Sequence, residues 1–438
     1  MKRKFYDTLL KWKDKYIGTP LMVVGARQIG KTYIIREFCK NEFENFIEIN
    51  LMESPNLIEI FEEKTTFTKK IQKLELEIEK KISPEKTVLF IDEIQESEAA
   101  ITLLKFFCEN KLPYKVICAG SLLGVKLNRF KSSFPVGKVR IEIMNPMDFE
   151  EFLLGLGKDM WLDEIKRCYE TMESISIHDQ LLELYRTYLC IGGMPGAVQE
   201  FKNENADILL WDNSVLKNIV ISYLADMSKY TLNSSEAIKI EKVYKTIPGT
   251  LAKEKNKKFK YADIERGAKK QTFESAIDWL TASNMVQKCN SVDFIQMPLK
   301  SFVDEGTFKL YLNDVALLTM TLGLSYSDII LNKPFMYKGT IAENYVAQAL
   351  TANNIGLYYW KSGNEAEIDF LIDTEDGIIP IEVKSNDNTR SQSLEVYIEK
   401  NKPEYSIIIS AKNFGFTNNI KSIPLYATFC IDAKKQIF

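Results

Sequence analysis

The sequence contains a single histidine among 438 residues, and this scarcity excludes several kinds of chemistry. A metal site built from histidine ligands is impossible, as is any catalytic step that needs two imidazoles. A Ser-His-Asp triad could use only His178, which stands in the polar stretch ISIHDQ and is expected at the surface. Any catalysis must therefore depend on phosphate-binding loops, carboxylates, lysines, arginines and metal ions.

Paired cysteines and long apolar runs are also missing. The 7 cysteines are scattered and none forms a C-x-x-C pair, so the sequence suggests neither a zinc ribbon nor a disulfide framework. The amino terminus is too charged for the apolar region of a signal peptide, and no apolar run approaches a membrane span. We therefore expect a cytoplasmic protein without membrane segments.

Neither sign of charge dominates the composition. The chain has 57 basic and 60 acidic residues and a net charge of −3, so any nucleic-acid-binding surface would have to be local. Hydrophobic residues make up 45% of the chain and charged residues 27%, which is ordinary for a globular protein. A chain of 438 residues is long enough for roughly two to four domains.

The stretch PLMVVGARQIGKTYIIREFCK predicts a phosphate-binding loop, because G-x-x-x-x-G-K-T stands between an apolar strand and a helical pattern. Backbone N–H groups of such a loop surround phosphate oxygens, and the helix start adds positive charge. Lys31 is expected to reach the β and γ phosphates of ATP, and Thr32 to help hold Mg²⁺. The predicted nucleotide-binding residues are Gly25, Ala26, Arg27, Gln28, Ile29, Gly30, Lys31, Thr32, Tyr33 and Ser121.

Two further buried strands complete the predicted site. In KTVLFIDEIQ, Asp92 is expected to hold the Mg²⁺ shell together with Thr32, and Glu93 to polarise the attacking water. The strand in YKVICAGSLLG ends at Ser121, which is either a γ-phosphate sensor or a structural turn serine. An arginine supplied in trans often meets transition-state charge in such enzymes. The candidates for this cationic role are Arg129, Lys138 and Arg140.

These motifs resemble the prokaryotic AAA-type ATPases that carry a C-terminal domain of unknown function. The resemblance rests on GARQIGKT, LFIDEIQ, AGSLLG and FPVGKVRIEIMNPMDFEEFL. It continues in YLCIGGMPGAVQEF, FKLYLNDVALL and YKGTIAENYVAQAL, and so spans nearly the whole chain. Together with the motifs, it implies an ATPase that uses ATP and Mg²⁺.

The middle of the chain predicts two modules. Apolar residues at helical spacing over residues 156–235 indicate a helical subdomain that resembles a lid. The stretch YADIERGAKKQTFESAIDWLTASNMVQKC reads as helix, turn and helix before strands, which suggests a winged helix-turn-helix with a recognition helix at 271–283. This module could contact DNA or another protein. Nearby positively charged residues are lysines 253, 255, 257, 258, 260, 269 and 270.

The stretch EIDFLIDTEDGIIPIEVKS predicts a β-hairpin with an unusual charge pattern. Folding it about residues 374–377 places Asp369 opposite Glu382, with Lys384 on the same face as Glu382. Carboxylates facing each other at about 4.5–5.5 Å between Cβ atoms repel, so either solvent screens them or a cation lies between them. Glu343 on the preceding helix could close a site for Mg²⁺ or Mn²⁺.

This carboxylate pattern resembles the restriction-endonuclease-like fold, whose signature is an acid, then Asp, then Glu-x-Lys on paired strands. The resemblance implies Asp369 and Glu382 as metal ligands. It implies a catalytic set of Glu343, Asp369, Glu382 and Lys384, beside Lys31 and Glu93 of the nucleotide site. Folds of this kind also serve as inert binding modules, so cleavage of nucleic acid and simple binding both remain open.

The sequence thus predicts an α/β protein with a P-loop core on a parallel sheet. The predicted domains are an AAA-type ATP-binding core (1–155), a helical lid (156–235), a winged-helix-like domain (236–330) and a nuclease-like domain (331–438). We expect ATP hydrolysis coupled to a nucleic-acid-acting region, for which Mg²⁺-dependent nuclease activity stays open, or else an ATP-switched regulatory protein with an inert nuclease fold. The expected partners are ATP and nucleic acid, DNA rather than RNA; a homo-oligomer is compatible with the sequence.

Overall fold

The computed structural model describes residues 1–15, 18–110, 114–128, 135, 137–231, 233–253, 257–334, 336–363 and 366–433. The chain divides into two compact units. The smaller comprises Lys2–Asn145 and Ala282–Asn284, and the larger comprises Pro146–Thr281 and Met285–Phe438 together with Met1. Within the described ranges, no helix has the length and apolar character needed to cross a membrane.

The smaller unit is an α/β fold built on one parallel sheet, as predicted. Its strands are β1 (Leu21–Val24), β2 (Asn45–Asn50), β3 (Thr87–Asp92), β4 (Lys115–Gly120) and β5 (Arg140–Ile143). They pair in the order β2-β3-β4-β1-β5, and every pairing is parallel. Its helices are α1 (Phe5–Asp14), α2 (Lys31–Glu42), α3 (Pro55–Glu62), α4 (Phe67–Glu77), α5 (Glu98–Glu109) and α6 (Leu123–Asn128).

The sheet brings three strand ends to the same edge. β1 and β3 are buried at every position, and β4 at all but its first residue, because these are the central strands and their apolar runs are covered on both faces. Val24 pairs with Gly120, and Ile91 pairs with Cys118, so the three strands end level with one another. The loop after β1, the acids after β3 and the serine after β4 therefore share the carboxyl edge of the sheet, where ligands of open α/β sheets bind.

The larger unit combines helices with a mixed eight-stranded sheet. Its helices are α7 (Phe149–Gly155), α8 (Asp159–Thr171), α9 (His178–Ile191), α10 (Pro195–Asn203), α11 (Ser214–Lys229), α12 (Ser234–Leu251), α13 (Lys270–Ala282), α14 (Val315–Thr321), α15 (Tyr326–Ile330), α16 (Lys338–Ala352) and α17 (Gln392–Asn401). Its strands are β6 (Val286–Val292), β7 (Val303–Leu312), β8 (Tyr358–Ser362), β9 (Ala366–Thr374), β10 (Gly377–Val383), β11 (Ser406–Ser410), β12 (Gly415–Thr417) and β13 (Ile420–Pro424). The strand order is β12-β13-β11-β10-β9-β8-β6-β7.

The glycine turn after α9 packs closely against two other segments. The N–H of Gly193 donates to Asp314 Oδ2 at 2.6 Å, and the carbonyl of Gly193 accepts from the N–H of Met147 at 2.7 Å. Asp314 also caps α14, because its Oδ1 accepts the N–H groups of Ala316 and Leu317. The motifs IGGMPG and LNDVALL therefore meet in space, with the fully buried Asp314 joining them.

The elements expected of a winged helix are only partly those observed. Residues 234–251 and 270–282 are α-helices, and the described residues between them, 252–253 and 257–269, contain a short 3₁₀ turn, Tyr261–Asp263, rather than an α-helix. β6 and β7 pair antiparallel as a wing would. β6 also pairs in parallel with β8, so this hairpin continues the sheet of the C-terminal strands across the predicted boundary at 330/331. The winged-helix assignment and the four-domain division stay predictions.

The C-terminal hairpin has the register read from the sequence. β9 and β10 are antiparallel, with Thr374 paired to Gly377 and Phe370 paired to Ile381. β10 then runs parallel to β11, and β11 parallel to β13. His178 is half-buried rather than freely exposed, and its two ring nitrogens lie 2.8 Å from the Tyr426 hydroxyl and 2.9 Å from the Ala411 carbonyl oxygen.

Candidate functional site

The first candidate site lies where β1 ends and α2 begins. Gly25 follows β1 with a φ of 146°, and a Cβ at that position would lie 2.3 Å from the backbone oxygen of Met144. Gly30 precedes α2 with a φ of 88°, a left-handed conformation that favours glycine. The backbone path thus requires both glycines, and it lets the loop approach a phosphate group at the positive end of α2.

Lys31 lies against the loop that it closes. Its side chain is 7% exposed, and its ammonium donates to the carbonyl oxygens of Gly25 at 2.9 Å and Ala26 at 2.7 Å. These acceptors belong to the same turn that would surround a phosphate. The ammonium is therefore placed at the loop, where a phosphate oxygen would offer a stronger, charge-assisted partner than a carbonyl.

Thr32 and Asp92 bring two oxygen ligands together at the sheet edge. The Thr32 hydroxyl donates to Asp92 Oδ2 at 2.8 Å. Burial raises the pKa of Asp92, and the hydrogen bond from Thr32 partly offsets that rise. A hydroxyl and a carboxylate at this distance suit a hard cation that prefers oxygen and keeps several waters. The chemistry of these donors fits Mg²⁺, and Thr32 and Asp92 are the residues that would hold it.

Glu93 has a partner that the sequence analysis missed. The residue follows Asp92 in a left-handed conformation with a φ of 50°, and its Oε2 accepts a hydrogen bond from Gln95 Nε2 at 2.5 Å. Gln95 is completely buried, and its Oε1 has no hydrogen-bond partner within the described residues. The signal was present in the sequence, since a glutamine two residues after Glu93 follows a buried strand, but its contact depends on the turn.

The other predicted nucleotide residues differ in how far their side chains are exposed. The side chains of Ala26 and Ile29 are buried in the core, whereas those of Gln28 and Tyr33 are exposed. This alternation is consistent with a loop that presents N–H groups rather than side chains to a phosphate. Arg27 lies in the same turn and is half-buried.

Ser121 directly follows β4 and is 9% exposed. It therefore lies at the same sheet edge as the loop and Asp92, which suits both a sensor and a turn serine.

The two described cations of the predicted finger group, Lys138 and Arg140, each pair with a glutamate. Arg140 pairs with Leu21 at the amino end of β1, and its Nε is 2.6 Å from Glu142 Oε1. Lys138 Nζ lies 3.4 Å from Glu109 Oε1. Arg129 lies outside the described residues. A cation acting from another copy of the chain stays a prediction.

The second candidate site is the pair of carboxylates in the C-terminal hairpin. The register that pairs Phe370 with Ile381 places Asp369 opposite Glu382. Asp369 Oδ2 accepts the N–H of Val383 at 2.8 Å. Burial first, and then the negative charges of Glu382 and Glu343, raise the pKa of Asp369 well above its usual range. The predicted juxtaposition is thus present and electrostatically costly.

Glu382 is only half satisfied by its neighbours. Its Oε1 accepts hydrogen bonds from Lys384 Nζ at 2.7 Å and from the Ser391 hydroxyl at 2.9 Å. Its Oε2 is buried and has no hydrogen-bond partner in the part of the chain that is described. A buried carboxylate oxygen without a partner is expensive unless a ligand completes it.

Glu343 is neutralised by lysines rather than left facing the other two acids. It lies on α16 at 1% exposure, and Lys309 Nζ is 3.0 Å from its Oε1. Lys257 and the Tyr311 hydroxyl also contact its carboxylate. Burial opposes ionisation of Glu343, but the charges of Lys257 and Lys309 outweigh it and lower its pKa. The sequence analysis did not foresee these partners.

The donor set at the hairpin therefore suits a cation held by two carboxylates. No group of three or more His, Cys, Asp and Glu side chains is arranged to hold a metal among the described residues. Mg²⁺ commonly uses one or two carboxylates and keeps waters in its other positions. Asp369 and Glu382 fit that requirement, since Glu382 Oε2 has no hydrogen-bond partner among the residues described, whereas the carboxylate of Glu343 is bonded to Lys257, Lys309 and Tyr311.

The lysines of the predicted basic stretch are mostly engaged within the unit. Lys253 forms an ion pair with Asp263 at 2.6 Å, Lys258 donates to the Thr307 hydroxyl at 2.7 Å, and Lys257 binds Glu343 as described. Lys255 lies outside the described residues. The lysines at the start of α13, Lys269 and Lys270, are exposed, with Lys270 Nζ 3.4 Å from Glu274.

Three family models match successive parts of the chain. An AAA domain matches residues 18–153, a domain of unknown function (DUF8612) matches 182–328, and a second domain of unknown function (DUF4143) matches 338–428. A comparison with curated proteins gave no match. The parallel sheet and its glycine loop thus lie in the part of the chain that matches an AAA domain. Two matches to domains without an assigned function follow it along the chain.

Solved structures similar to the chain include a Walker-type ATPase of Pyrococcus abyssi, with 14% identity, a TM-score of 0.44 and coverage of 73% of this chain and 95% of that one. The ORC2 protein of Aeropyrum pernix, solved in ADPNP and ADP complexes, has 13% identity, a TM-score of 0.37 and coverage of 75% and 92%. The ORC1 protein of Aeropyrum pernix in complex with DNA has 12% identity, a TM-score of 0.29 and coverage of 77% and 92%.

Proposed function

We propose that the smaller unit binds and hydrolyses ATP with Mg²⁺. The observation that carries this proposal is the contact between the Thr32 hydroxyl and Asp92 Oδ2 at 2.8 Å, beside the glycine loop that holds Lys31. These groups supply in one place a phosphate-binding loop, a cation and two oxygen ligands for Mg²⁺. The fold places all of them at the carboxyl edge of a parallel sheet.

Each residue of the site has a separate task in this reaction. The loop binds the β and γ phosphates through its N–H groups, and Lys31 exchanges its carbonyl partners for phosphate oxygens. Glu93 orients the attacking water and accepts its proton, while Gln95 holds the carboxylate of Glu93 in place. Bound Mg²⁺, held by Thr32 and Asp92, would supply positive charge that offsets the charge developing on the phosphates.

The direct test is phosphate release from ATP by the purified full chain, with Mg²⁺ and with chelator. Slow release that requires Mg²⁺ is expected. Absence of nucleotide binding, measured by calorimetry on the same preparation, would remove the proposal.

Gln95→Leu is expected to lower kcat roughly tenfold and to leave KM for ATP nearly unchanged. The substitution preserves the size of a buried side chain but removes the hydrogen bond to Glu93 Oε2, so the base loses its orientation while the nucleotide loop is untouched. Steady-state kinetics of the wild type and the variant measure whether kcat falls while KM stays the same.

A double-mutant cycle supplies the control for Gln95. In a Glu93→Gln background, Gln95→Leu should cause no further loss of turnover, because both substitutions act on the same step. Equal losses in both backgrounds would show that Gln95 acts on the fold rather than through Glu93.

We propose as a second function that the larger unit acts on nucleic acid by metal-assisted phosphodiester cleavage at the hairpin. The specific observation that favours it is the buried Glu382 Oε2 opposite Asp369, which has no hydrogen-bond partner within the described ranges. These two carboxylates would hold the cation, which supplies polarisation of a phosphoryl oxygen and a more acidic water. Lys384, bonded to Glu382, offsets negative charge there, and Glu343 fixes α16 to β7 through Lys309 rather than binding the cation.

Asp369→Asn and Lys384→Ala are each expected to reduce Mn²⁺- or Mg²⁺-dependent nicking of plasmid or single-stranded DNA to the level of a metal-free reaction. The first removes a ligand charge, and the second removes the lysine beside the scissile phosphate. The matched control is Lys361→Ala, which changes an exposed lysine on β8 and should leave cleavage unchanged. Gel assays over several nucleic acids, with and without ATP, measure the rates.

The alternative function is an ATP-switched regulatory protein whose nuclease-like region is inert. Calorimetry with Mn²⁺ bears on this choice, since failure of the hairpin to bind a divalent cation would favour the inert region. Binding without any cleavage that depends on Asp369 would also favour the regulatory protein.

A further inference from the structure

The larger unit contains a cavity of about 490 Å³ that neither proposed site uses. It lies beside the segments that follow β10 and β11 and beside the start of α16. Its lining residues include Leu182, Tyr185, Arg186, Lys338, Asn386 and Leu425. Carboxyl ends of parallel strands and the amino end of a long helix converge there, which is a common setting for ligand binding.

Two cations face this cavity, and the partners that they have in the described part of the chain are neutral oxygens. Arg186 Nε donates to the carbonyl oxygen of Ile330 at 3.1 Å. Lys338 Nζ donates to the side-chain oxygens of Asn332 at 2.7 Å and Asn386 at 2.8 Å. Neither cation forms an ion pair with any described residue. Half-buried cations that bind only neutral oxygens have unused capacity for an anion.

Arg186 and Lys338 also oppose each other electrostatically. Burial lowers the pKa of Lys338, and the positive charge of Arg186 lowers it further, while Asp387 acts in the other direction. Burial likewise lowers the pKa of Arg186, whereas the negative charges of Glu183 and Asp179 raise it. An anion placed between the two cations would relieve this repulsion.

The other charged groups around the cavity do not cancel this positive charge. Asp179 and Asp387 line it with exposed side chains and offset part of the charge, whereas the exposed Lys412 adds to it, so the three lysine and arginine side chains outnumber the two acids. His178 also lines it, but burial lowers the pKa of His178, and both ring nitrogens already have partners. The half-buried charge facing the cavity is therefore that of Arg186 and Lys338.

The cavity has more room and more apolar surface than a bare phosphate needs. Leu182, Leu189 and Leu425 form part of its wall. Tyr185 lines it at 4% exposure, and its hydroxyl has no hydrogen-bond partner among the residues described. A volume of about 490 Å³ lies in the range of small-molecule sites, which combine apolar walls with a few convergent polar groups.

We propose that this cavity binds a small phosphate monoester with an apolar or ring-bearing organic group. Its phosphate accepts hydrogen bonds from Arg186 and Lys338, and its organic group packs against Leu182, Tyr185 and Leu425. The site is separate from the ATP loop, since all its residues belong to the larger unit. It does not depend on either proposed activity.

The test is calorimetric titration of the full chain with phenyl phosphate and with inorganic phosphate. Both titrations use a Lys31→Ala background, so that the ATP loop does not bind the probes. Phenyl phosphate should bind saturably and more tightly than inorganic phosphate. Arg186→Gln and Lys338→Gln should each weaken it about tenfold or more, because each removes a charge-assisted hydrogen bond.

Three controls keep the result decisive. Lys333→Gln alters a neighbouring exposed lysine that pairs with Asp328 and should leave affinity unchanged, and Lys338→Arg should restore most of it. Thermal melting checks that each variant is folded. Failure of phenyl phosphate to bind, or binding that is indifferent to folded variants of both Arg186 and Lys338, would overturn the proposal. Binding only of a 5′-phosphorylated oligonucleotide would overturn the small-molecule assignment.

Discussion

Lys31→Ala is expected to lower the rate of ATP turnover at least about a hundredfold, the usual scale for losing one electrostatic contact to the transition state. The Lys31 ammonium is held at the loop by the carbonyls of Gly25 and Ala26, so it is already positioned to meet the phosphates. An alanine leaves the loop backbone in place but removes this charge. Phosphate release under saturating ATP and Mg²⁺ measures the loss.

Two further variants serve as controls for Lys31→Ala. Lys40→Ala changes an exposed lysine near the end of the same helix, α2, and should retain turnover. Glu93→Gln should still bind ATP while losing hydrolysis, because it removes the base but none of the phosphate contacts. Turnover at the wild-type rate in Lys31→Ala would exclude Lys31 from the mechanism.

Gly193→Ala is expected to destabilise the larger unit by about 3 kcal/mol or to prevent its folding. A Cβ at Gly193 would lie 1.8 Å from the backbone oxygen of Met147, which no side-chain rotation can relieve. The backbone here also forms two hydrogen bonds, from the Met147 N–H to the Gly193 carbonyl and from the Gly193 N–H to the Asp314 carboxylate. Any shift that relieves the overlap would stretch these buried contacts. Chemical denaturation monitored by circular dichroism measures the change in unfolding free energy.

Gly196→Ala is the matched control three residues further along. A Cβ there meets its nearest atom, Val215 Cγ1, at 3.6 Å, an ordinary contact. Since Gly196 lies in α10, alanine should leave stability unchanged or raise it by a few tenths of a kcal/mol. Equal stability of the two variants would contradict the close packing at Gly193.

The features that the sequence predicted well are those coded by neighbouring residues. The loop around Lys31 follows from a motif that includes its own strand and helix. The pairing of Asp369 with Glu382 follows from the period of two along β9 and β10 and from turn residues at 374–377. In each case a short stretch of chain contains both partners of the arrangement.

The features that it missed join distant parts of the chain. Lys309 is almost completely buried, a rare state for lysine, and it is tolerable only because Glu343 and Glu367 lie beside it. No pattern among neighbouring residues predicts an ion pair between residues that are more than thirty positions apart in the chain. The orientation of Gln95 towards Glu93 and the half-buried ring of His178 likewise depend on how the backbone turns and on what packs against it.

The eight-stranded sheet makes the second half of the protein hard to divide. β6 hydrogen-bonds to β8, and β7 carries both Lys309 and Tyr311 to Glu343. A fragment beginning at residue 331 would expose the edge of β8, a surface that recruits other strands into aggregates. It would also leave Glu343 as an uncompensated buried charge. Recombination or gene truncation within this half should therefore be tolerated poorly, and the two regions of unknown function should be inherited together as one structural unit.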